Sequence, residues 1–417
     1  MKYIKTAQTE QNNQATEVES IVKGIIEDIK TNGDEALKKY EVKFGKSDRA
    51  FRVSEEEIEN CLNTIDPEQK ALIDTVVERI SAFAETQYKH LTPFETQFGD
   101  GITMGQRIVP IETVGAYIPG GRFPLLSSGP MVVAPAKVAG AKRIVACSPA
   151  NYKGGIHPAV LYGLIKAGAT DIFAIGGAQA IAAMANGTES VPPVDMIAGP
   201  GNMFVAEAKK QVFGKVGIDL IAGPSEVLVF ADESAKPGYI AADLLAQSEH
   251  DPFAKAVLVT TSEDIANESI KEVERLLGTF AEDSPAHQSW ENMGEVILVD
   301  SIAEGIDYCN ENANEHLHLH LTDSRSYVDQ LHNYGSLFIG EESSVVFSDK
   351  VSGTNHTLPT NKAARYTGGL WVGSYLKVVT HQEITGEGTQ FLAKHATKQS
   401  NIEGLEGHQL SAQVRIK

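Results

Sequence analysis

The chain of 417 residues contains only three cysteines, Cys61, Cys147 and Cys309, and they lie far apart. They form no CxxC motif, so a thiol-based redox or zinc-ribbon site is not predicted, and buried thiols in a reducing cytoplasm are favoured. Basic residues are also scarce, because 36 lysines and arginines stand against 55 aspartates and glutamates, giving a net charge of −19. This balance argues against a nucleic-acid-binding protein.

Long apolar runs are missing as well. The best candidate, MVVAPAKVAGAKRIVACSPA, contains three basic residues, so no membrane-spanning helix is predicted. The first residues, MKYIKTAQTEQNNQ, lack the apolar core of a signal peptide. With a hydrophobic fraction of 42%, a chain of this length is expected to be a cytoplasmic globular protein with a large core.

The first hundred residues show the apolar spacing of amphipathic helices. The segment NGD at residues 32–34 predicts a break between two helices. Ser54, followed three residues later by Glu57, has the pattern of a capping box at the start of a further helix. We interpret this acidic, helical region as scaffold.

The middle of the chain repeats strand, glycine-containing turn and helix, which predicts a parallel sheet with helices on both faces. Such sheets bind ligands at the carboxyl ends of their strands. Glycine turns are expected at these ends, in residues 119–122, 176–179, 199–202 and 222–226. They could approach the phosphates of a dinucleotide, or they could be ordinary loop turns, because the chain has no GxGxxG motif.

A second α/β stretch follows, and the tail from about residue 373 has helical pieces without a core pattern. The predicted fold class is therefore α/β, with two incomplete Rossmann-like parallel-sheet domains, a helical amino-terminal region and a carboxy-terminal arm.

The segment NANEHLHLHL places histidines at every second position, His316, His318 and His320. In a β-strand these three imidazoles would project from the same face. They could form a metal site, a catalytic element or a solvated strand face, and periodicity alone does not separate these alternatives.

Three further polar segments could carry chemistry. AADLLAQSEHDPFA places Gln247 and His250 at i and i+3 on a predicted helix, where both could touch one metal ion or lie on a solvated surface. FSDKVSGTNHTLPT is a polar loop, a favoured place for a functional site, with Asp349 and His356. The tail segment IEGLEGHQLSAQVRIK also contains acidic residues and a histidine.

Taken together, these segments resemble the histidinol dehydrogenase family. VGAYIPGGR, PAKVAGAKRIVACSP, GGAQAIAAM, AGPGN, AGPSEVLVFADE, DLLAQSEHD, NEHL, GTNHTLPT and EGLEGH occur in the order typical of that family. The resemblance covers nearly all of the chain from about residue 115 onward.

The resemblance implies a homodimeric oxidoreductase that uses NAD and one zinc ion per subunit, with an active site shared between subunits. It would oxidise a primary alcohol through a bound aldehyde to a carboxylate in two hydride transfers. The implied site residues are zinc ligands Gln247, His250 and Asp349 with His408 of the partner subunit, the acid–base pair Glu315 and His316, substrate contacts Ser225, His356 and Glu403, and cofactor contacts Tyr117, Gln179 and Asn202. His318 and His320 lie outside the motif and are interpreted as strand-face residues.

Four regions of the chain are expected on this basis. An amino-terminal helical arm covers residues 1–30, and a first α/β domain with the catalytic and zinc residues covers 31–114 and 233–372. An inserted α/β domain that binds NAD covers residues 115–232. The carboxy-terminal arm, residues 373–417, is expected to complete the partner subunit's site.

Three stretches depart from the usual family pattern. Asn314 replaces the proline before Glu315, ARYTGGLWVGSYLK replaces a Leu-Ser-Val-containing stretch, and GGRFPLLSSGPM differs near the first glycine turn. These departures resemble the family branch that oxidises sulfopropanediol to sulfolactate. Arg122 and Arg365 are candidate partners for a sulfonate, because a guanidinium matches its oxygens in fork geometry, although ordinary ion pairs are the alternative.

Three hypotheses follow. The chain is a dehydrogenase of a small sulfonated diol, a histidinol dehydrogenase of histidine biosynthesis, or an inactive metal-binding relative. The presence of all four zinc positions and of Glu315 and His316 argues against the third hypothesis.

Overall fold

The computed structural model describes residues 1–8, 15–120 and 124–417, which form an α/β protein with two parallel sheets, as predicted. The strands are, in chain order, β1 (Lys2–Lys5), β2 (Phe94–Gly99), β3 (Ile102–Pro110), β4 (Thr113–Tyr117), β5 (Arg143–Cys147), β6 (Asp171–Phe173), β7 (Met196–Ala198), β8 (Gly217–Ile218), β9 (Glu226–Ala231), β10 (Lys255–Thr260), β11 (Glu295–Leu298), β12 (His316–His320), β13 (Ser336–Ile339) and β14 (Leu376–Ile384).

The helices connect and cover these strands. They are α1 (Ala15–Tyr40), α2 (Glu55–Thr64), α3 (Pro67–Lys89), α4 (Ser128–Ala139), α5 (Pro158–Ala167), α6 (Gly177–Asn186), α7 (Met203–Val212), α8 (Pro237–Ser248), α9 (Glu263–Leu277), α10 (Pro285–Met293), α11 (Ile302–Asn312), α12 (Val345–Lys350), α13 (Gly386–Glu403) and α14 (Glu406–Gln413).

The larger sheet has six strands in the order β1-β11-β10-β9-β12-β13, and only the edge strand β1 is antiparallel to its neighbour. Helices α8, α9 and α10 pack on one face and α11 packs on the other. Burial on both faces explains why β9 is a continuous apolar run, VLVFA, after its first residue.

The smaller sheet has five parallel strands in the order β6-β5-β4-β7-β8. Helices α3, α4 and α5 cover one face, and α1, α6 and α7 cover the other. The strand order reverses between β4 and β7. At such a reversal the chain leaves a crevice outside the carboxyl ends of the strands, where ligands bind in open α/β sheets.

The remaining strands form a third, antiparallel sheet in the order β14-β3-β2, and β2 is exposed along its whole length. Helices α13 and α14 follow β14. They leave several large apolar side chains exposed to solvent, namely Phe391, Leu392, Ile402, Leu405, Leu410 and Val414.

Several local predictions are confirmed. Gly33 has φ 51° and ψ −129°, which breaks the helical path within α1 at the predicted NGD segment. Ser54 and Glu57 form the predicted capping box at the start of α2. All three cysteines are free and buried. Among the described helices, none is long and apolar enough to cross a membrane.

The expected domain limits remain predictions, and the strands near them lie as follows. The limit between residues 114 and 115 falls inside β4, and β9 belongs to the six-stranded sheet although the predicted insertion runs to residue 232. Helix α1 extends to residue 40 and packs on α6 and α7, so it covers one face of the five-stranded sheet. The apolar spacing predicts that this helix buries one face, but it does not indicate which sheet that face covers.

Candidate active site

Strand β12 carries its three histidines into the interior. His316, His318 and His320 are each at most 2% exposed, so the interpretation of His318 and His320 as a solvated strand face is wrong. The reason is the position of the strand: β12 lies between β9 and β13, and α8 covers the face to which the histidines point. A polar residue on this face is therefore buried even though the sequence alternates as in a half-exposed strand.

Glu315 and His316 are held together by one residue of the neighbouring strand. The backbone N–H of Glu226 donates to Glu315 Oε2 over 2.8 Å, and the Glu226 carbonyl oxygen lies 2.9 Å from His316 Nδ1. Glu315 Oε2 is 3.6 Å from the same Nδ1. A carbonyl can only accept, so Nδ1 carries the proton and Nε2 keeps its lone pair.

The charges of this pair are controlled by burial. Burial, together with the nearby charges of Glu226 and Asp349, raises the pKa of Glu315 well above its ordinary value. Burial lowers the pKa of His316, which keeps the ring neutral. Because Nε2 of this neutral ring is buried and has no hydrogen-bond partner among the described residues, it is available as a base.

The side chain of Asp349, on α12, joins the predicted zinc residues to the predicted acid–base pair, Glu315 and His316. Asp349 Oδ2 accepts from Gln247 Nε2 over 2.9 Å, and Oδ1 lies 3.8 Å from His316 Nε2. Burial alone would raise the pKa of Asp349, but the neighbouring imidazoles of His316, His356 and His250 and the hydrogen bond from Gln247 bring it below its ordinary value. The structure therefore brings together side chains from α8, β12, α12 and the loop that follows α12.

Ser127 connects this cluster to the five-stranded sheet. Its hydroxyl, immediately before α4, donates to the Asp349 carbonyl oxygen over 2.6 Å, and His356 Nε2 lies 3.2 Å from Ser127 Oγ. Because the hydroxyl proton is used by the carbonyl, the imidazole N–H of His356 is the donor in the second bond. In addition, Asn355 Nδ2 donates to the Met131 carbonyl oxygen over 2.8 Å.

The residues present fit a zinc ion. Gln247, His250 and Asp349 offer neutral nitrogen and oxygen atoms with one carboxylate, a donor set that suits this metal. His250 lies two residues beyond the end of α8 and is exposed. The chain's own His408 and Glu403 lie on the exposed tail, where Glu403 Oε1 accepts from Gln399 Nε2 over 2.8 Å. No hydrogen bond or ion pair within the described part of the chain joins either tail residue to Asp349.

The predicted cofactor residues lie at the carboxyl ends of the five-stranded sheet. Tyr117 ends β4, and its hydroxyl accepts from the Gly177 N–H over 3.1 Å. Burial raises the pKa of this hydroxyl to about 12. Gln179 lies in the first turn of α6 and donates through Nε2 to Glu41 Oε1 over 2.8 Å. Glu41 also accepts from the Gly176 N–H over 3.2 Å.

Asn202, the third predicted cofactor residue, precedes α7 and caps it. Its Oδ1 accepts from the N–H groups of Phe204 and Val205. The turn before it passes so close to β4 that a Cβ on Gly199 would lie 2.0 Å from the Tyr117 carbonyl oxygen. Gly199 also has φ +121°, a conformation that L side chains rarely adopt. Only glycine therefore fits this turn at the reversal of strand order.

Other predicted residues have less defined roles. Ser225 is half-buried directly before β9, so its turn leads into the amino end of a strand. Arg365 is exposed, and its Nε donates to the Lys362 carbonyl oxygen over 3.0 Å. Arg122 lies outside the described residues.

Three residues that the sequence motifs do not identify contribute to these sites. Ser127, Glu41 and Glu226 position Asp349, Gln179 and the Glu315–His316 pair respectively. The SSGP segment that includes Ser127 signals a helix start, but nothing local predicts its partner 222 residues away. Glu226 acts through its backbone, for which side-chain motifs carry no signal.

Comparisons with known proteins agree with this architecture. A model of the histidinol dehydrogenase family matches residues 8–416. Histidinol dehydrogenase homolog 1 of Mesorhizobium japonicum is 43% identical over 95% of this chain and 80% of its own length. Sulfopropanediol 3-dehydrogenase of Ruegeria pomeroyi is 40% identical over 100% of this chain and 96% of its own.

A solved structure gives the same result for the fold. The crystal structure of histidinol dehydrogenase from Elizabethkingia anophelis superposes with a TM-score of 0.92 at 37% identity, covering 98% of this chain and 94% of that one. The proteins named for these two activities thus have similar sequence identities to this chain, so overall similarity does not distinguish between their substrates.

Proposed function

The chain belongs to the histidinol dehydrogenase family, and from that premise we propose that it is a zinc- and NAD-dependent dehydrogenase of a primary alcohol. It oxidises the alcohol through a bound aldehyde to a carboxylate, in two hydride transfers. The proposed substrate is a small sulfonated diol, sulfopropanediol, which would be converted to sulfolactate.

The observation that supports this proposal most strongly is the state of His316. Its Nδ1–H is fixed by the Glu226 carbonyl oxygen. Its Nε2, which has no hydrogen-bond partner in the described part of the chain, lies 3.8 Å from Asp349 Oδ1. A neutral imidazole with a fixed tautomer and a free lone pair is suited to take the proton of an alcohol. Asp349, beside it, would stabilise the imidazolium that forms.

Gln247, His250, Asp349 and His408 of the partner subunit would hold the zinc ion. Zinc supplies Lewis-acid polarisation of an oxygen and orientation of the substrate. NAD supplies the acceptor for hydride, and the chain's turns at Tyr117, Gln179 and Asn202 are suited to bind it at the strand-order reversal.

Glu315 is proposed to act in the second oxidation. The aldehyde must gain water before it can lose a second hydride, and a base must remove a proton from that water. The raised pKa of Glu315 makes its carboxylate a stronger base than an ordinary glutamate once it is ionised. Overall, one alcohol, one water and two NAD⁺ give one carboxylate, two NADH and three protons.

The proposed substrate is supported by the sequence departures at Asn314, at Trp371 and in residues 120–131, and by the similarity to a sulfopropanediol dehydrogenase. A homodimer with a shared site is supported by the tail. Glu403 and His408 lie on exposed helices with uncovered apolar side chains, and in a dimer these helices could reach the partner's Asp349 cluster. Contact with a second subunit would also bury this apolar surface.

The test is a side-by-side assay of zinc-loaded protein with NAD and either 2,3-dihydroxypropane-1-sulfonate or histidinol, with the acid product identified by mass spectrometry. We expect the sulfonate to be oxidised and histidinol to be inert. Oxidation of histidinol alone would make the chain a histidinol dehydrogenase. Inertness toward both, with zinc bound, would favour an inactive metal-binding relative or another alcohol and would contradict the proposed substrate.

A further inference from the structure

A second polar cluster lies along the same contact between β12 and α8. It consists of Asp243, His318 and His320, which are 6%, 0% and 2% exposed. Asp243 and Gln247 are four residues apart and so share a face of α8, while His316 and His318 alternate along β12. The cluster is therefore about one helical turn from the candidate active site, but none of its residues belongs to the acid–base pair or the predicted zinc ligands.

Three atoms of the cluster form a nearly equilateral triangle. Asp243 Oδ2 lies 3.2 Å from His318 Nδ1 and 3.6 Å from His320 Nε2, and the two nitrogen atoms are 3.1 Å apart. Bonds of about 2.0–2.1 Å to a tetrahedral zinc ion separate neighbouring ligand atoms by about 3.3 Å. The triangle thus has the size of one face of such a coordination sphere.

Two of the three ligand atoms are oriented by a second bond on their far side. His318 Nε2 donates its proton to the Gly340 carbonyl oxygen over 2.9 Å, so in the uncharged form of the ring Nδ1 carries the lone pair. The other carboxylate oxygen of Asp243, Oδ1, accepts from the Ser344 hydroxyl over 2.6 Å. Outer bonds of this kind fix the tautomer of histidines and the orientation of carboxylates that bind metal ions.

The centre of the cluster has fewer hydrogen-bond donors than acceptors. With neutral His318, only His320 Nε2 could donate, although Asp243 Oδ2 and His318 Nδ1 both need a donor and face each other at 3.2 Å. Two buried acceptors at that distance repel unless a positive charge lies between them. That charge is either a proton on His318 or a cation at the centre of the triangle.

We propose that Asp243, His318 and His320 form a second metal site, which binds a divalent cation of the zinc type through two nitrogen atoms and one oxygen atom. Two histidines and one carboxylate suit such a borderline ion. The ion ties β12 to α8 and so fixes the strand that begins with His316. This inference does not rest on the proposed activity.

The test is the metal content of the full-length protein, produced with added zinc and then washed with a chelator. We expect two zinc ions per chain in the wild type, and one each in His320→Asn and in His250→Asn. His287→Asn, which removes a partly buried histidine from α10, is the matched control and should keep both ions. Zinc retained in His250→Asn but absent from His320→Asn also supports the second site, even if the predicted catalytic zinc is not found.

Two results would overturn the proposal. The first is equal zinc content in His320→Asn and the wild type. The second is a His250→Asn variant that folds but holds no zinc, which would leave a proton on His318 as the neutralising charge. If His320→Asn does not fold, Ser344→Ala is used in its place, because this substitution removes only the outer hydrogen bond to Asp243. The Ser344→Ala variant should lose one ion to the chelator faster than the wild type, and an unchanged rate of loss would count against the site.

Discussion

A buried ion pair holds the turn that we assign to cofactor binding, and breaking it should have a large effect. The side chains of Lys209 on α7 and Asp219 after β8 are 3% and 0% exposed and pair directly. Both also bind Gly199: Lys209 Nζ donates to its carbonyl oxygen over 2.9 Å, and Asp219 Oδ2 accepts from its N–H over 2.8 Å. The pair therefore clamps the glycine on both sides, next to the end of β4.

The substitution Lys209→Met keeps the length of the side chain but leaves Asp219 charged and buried without its partner. Removing one member of a buried ion pair costs about 3–5 kcal/mol. We expect the free energy of unfolding to fall by about this amount, measured by urea denaturation followed by circular dichroism. Because Asn202 follows the same turn, the KM for NAD should also rise in the folded variant.

Lys210→Met is the matched control. Lys210 is the next residue on α7, its side chain is 58% exposed, and its Nζ lies 3.2 Å from Glu207 Oε2. Surface pairs contribute about 0–1 kcal/mol. Adding Asp219→Asn to Lys209→Met removes the orphaned charge and should restore part of the lost stability. If Lys209→Met costs no more than Lys210→Met, the clamp does not stabilise the turn and the reasoning is wrong.

Three further predictions concern the site and the core. His316→Gln should lower kcat by about 10²–10⁴-fold, the usual contribution of a general base, without changing zinc content; an unchanged kcat would refute the role of Nε2. Asp74→Asn should destabilise the protein by about 1–2 kcal/mol at neutral pH, because the bonds from Lys70, Tyr162 and Lys166 outweigh partial burial and lower the pKa of Asp74 from 3.8 to about 2. This contribution to stability is present above the pKa of Asp74 in the unfolded chain and is lost as the pH falls through its pKa in the folded protein. The free energies of unfolding of the wild type and of Asp74→Asn, measured by urea denaturation, should therefore converge as the pH falls toward 2, and divergence would contradict this prediction. Gly305→Ala should cost about 1–3 kcal/mol, since the new Cβ would lie 2.2 Å from the Phe230 ring, and equal stability would show that the ring moves freely.

The sequence predicts the architecture well where the signal is local. The repeated strand, turn and helix, the kink at Gly33 and the cap at Ser54 all follow from residues within a few positions of each other. The domain limits are harder to predict, because they depend on which sheet a strand joins. Strand β9 illustrates this: its apolar run predicts a buried strand, but only its pairing with β10 and β12 assigns it to the larger sheet.

In the candidate active site, too, local motifs identify residues but do not predict the contacts between distant parts of the chain. Motif resemblance selects Glu315, His316 and Asp349, and the structure brings them together. The contacts that set their chemistry join distant residues, such as Gln179 with Glu41, 138 positions apart, which no periodicity predicts. The burial of His318 also escapes the sequence, because HLHLH alternates like a half-exposed strand whereas the strand is covered on both faces.

We propose that one site performs two successive oxidations on one alcohol. It is tested most directly by counting the NADH formed when a limiting amount of 2,3-dihydroxypropane-1-sulfonate is consumed completely by the zinc-loaded protein with excess NAD. We predict two NADH per molecule of sulfonate, with sulfolactate as the product and no free aldehyde trapped by semicarbazide. One NADH per sulfonate, with the aldehyde released, would show that the site performs a single oxidation.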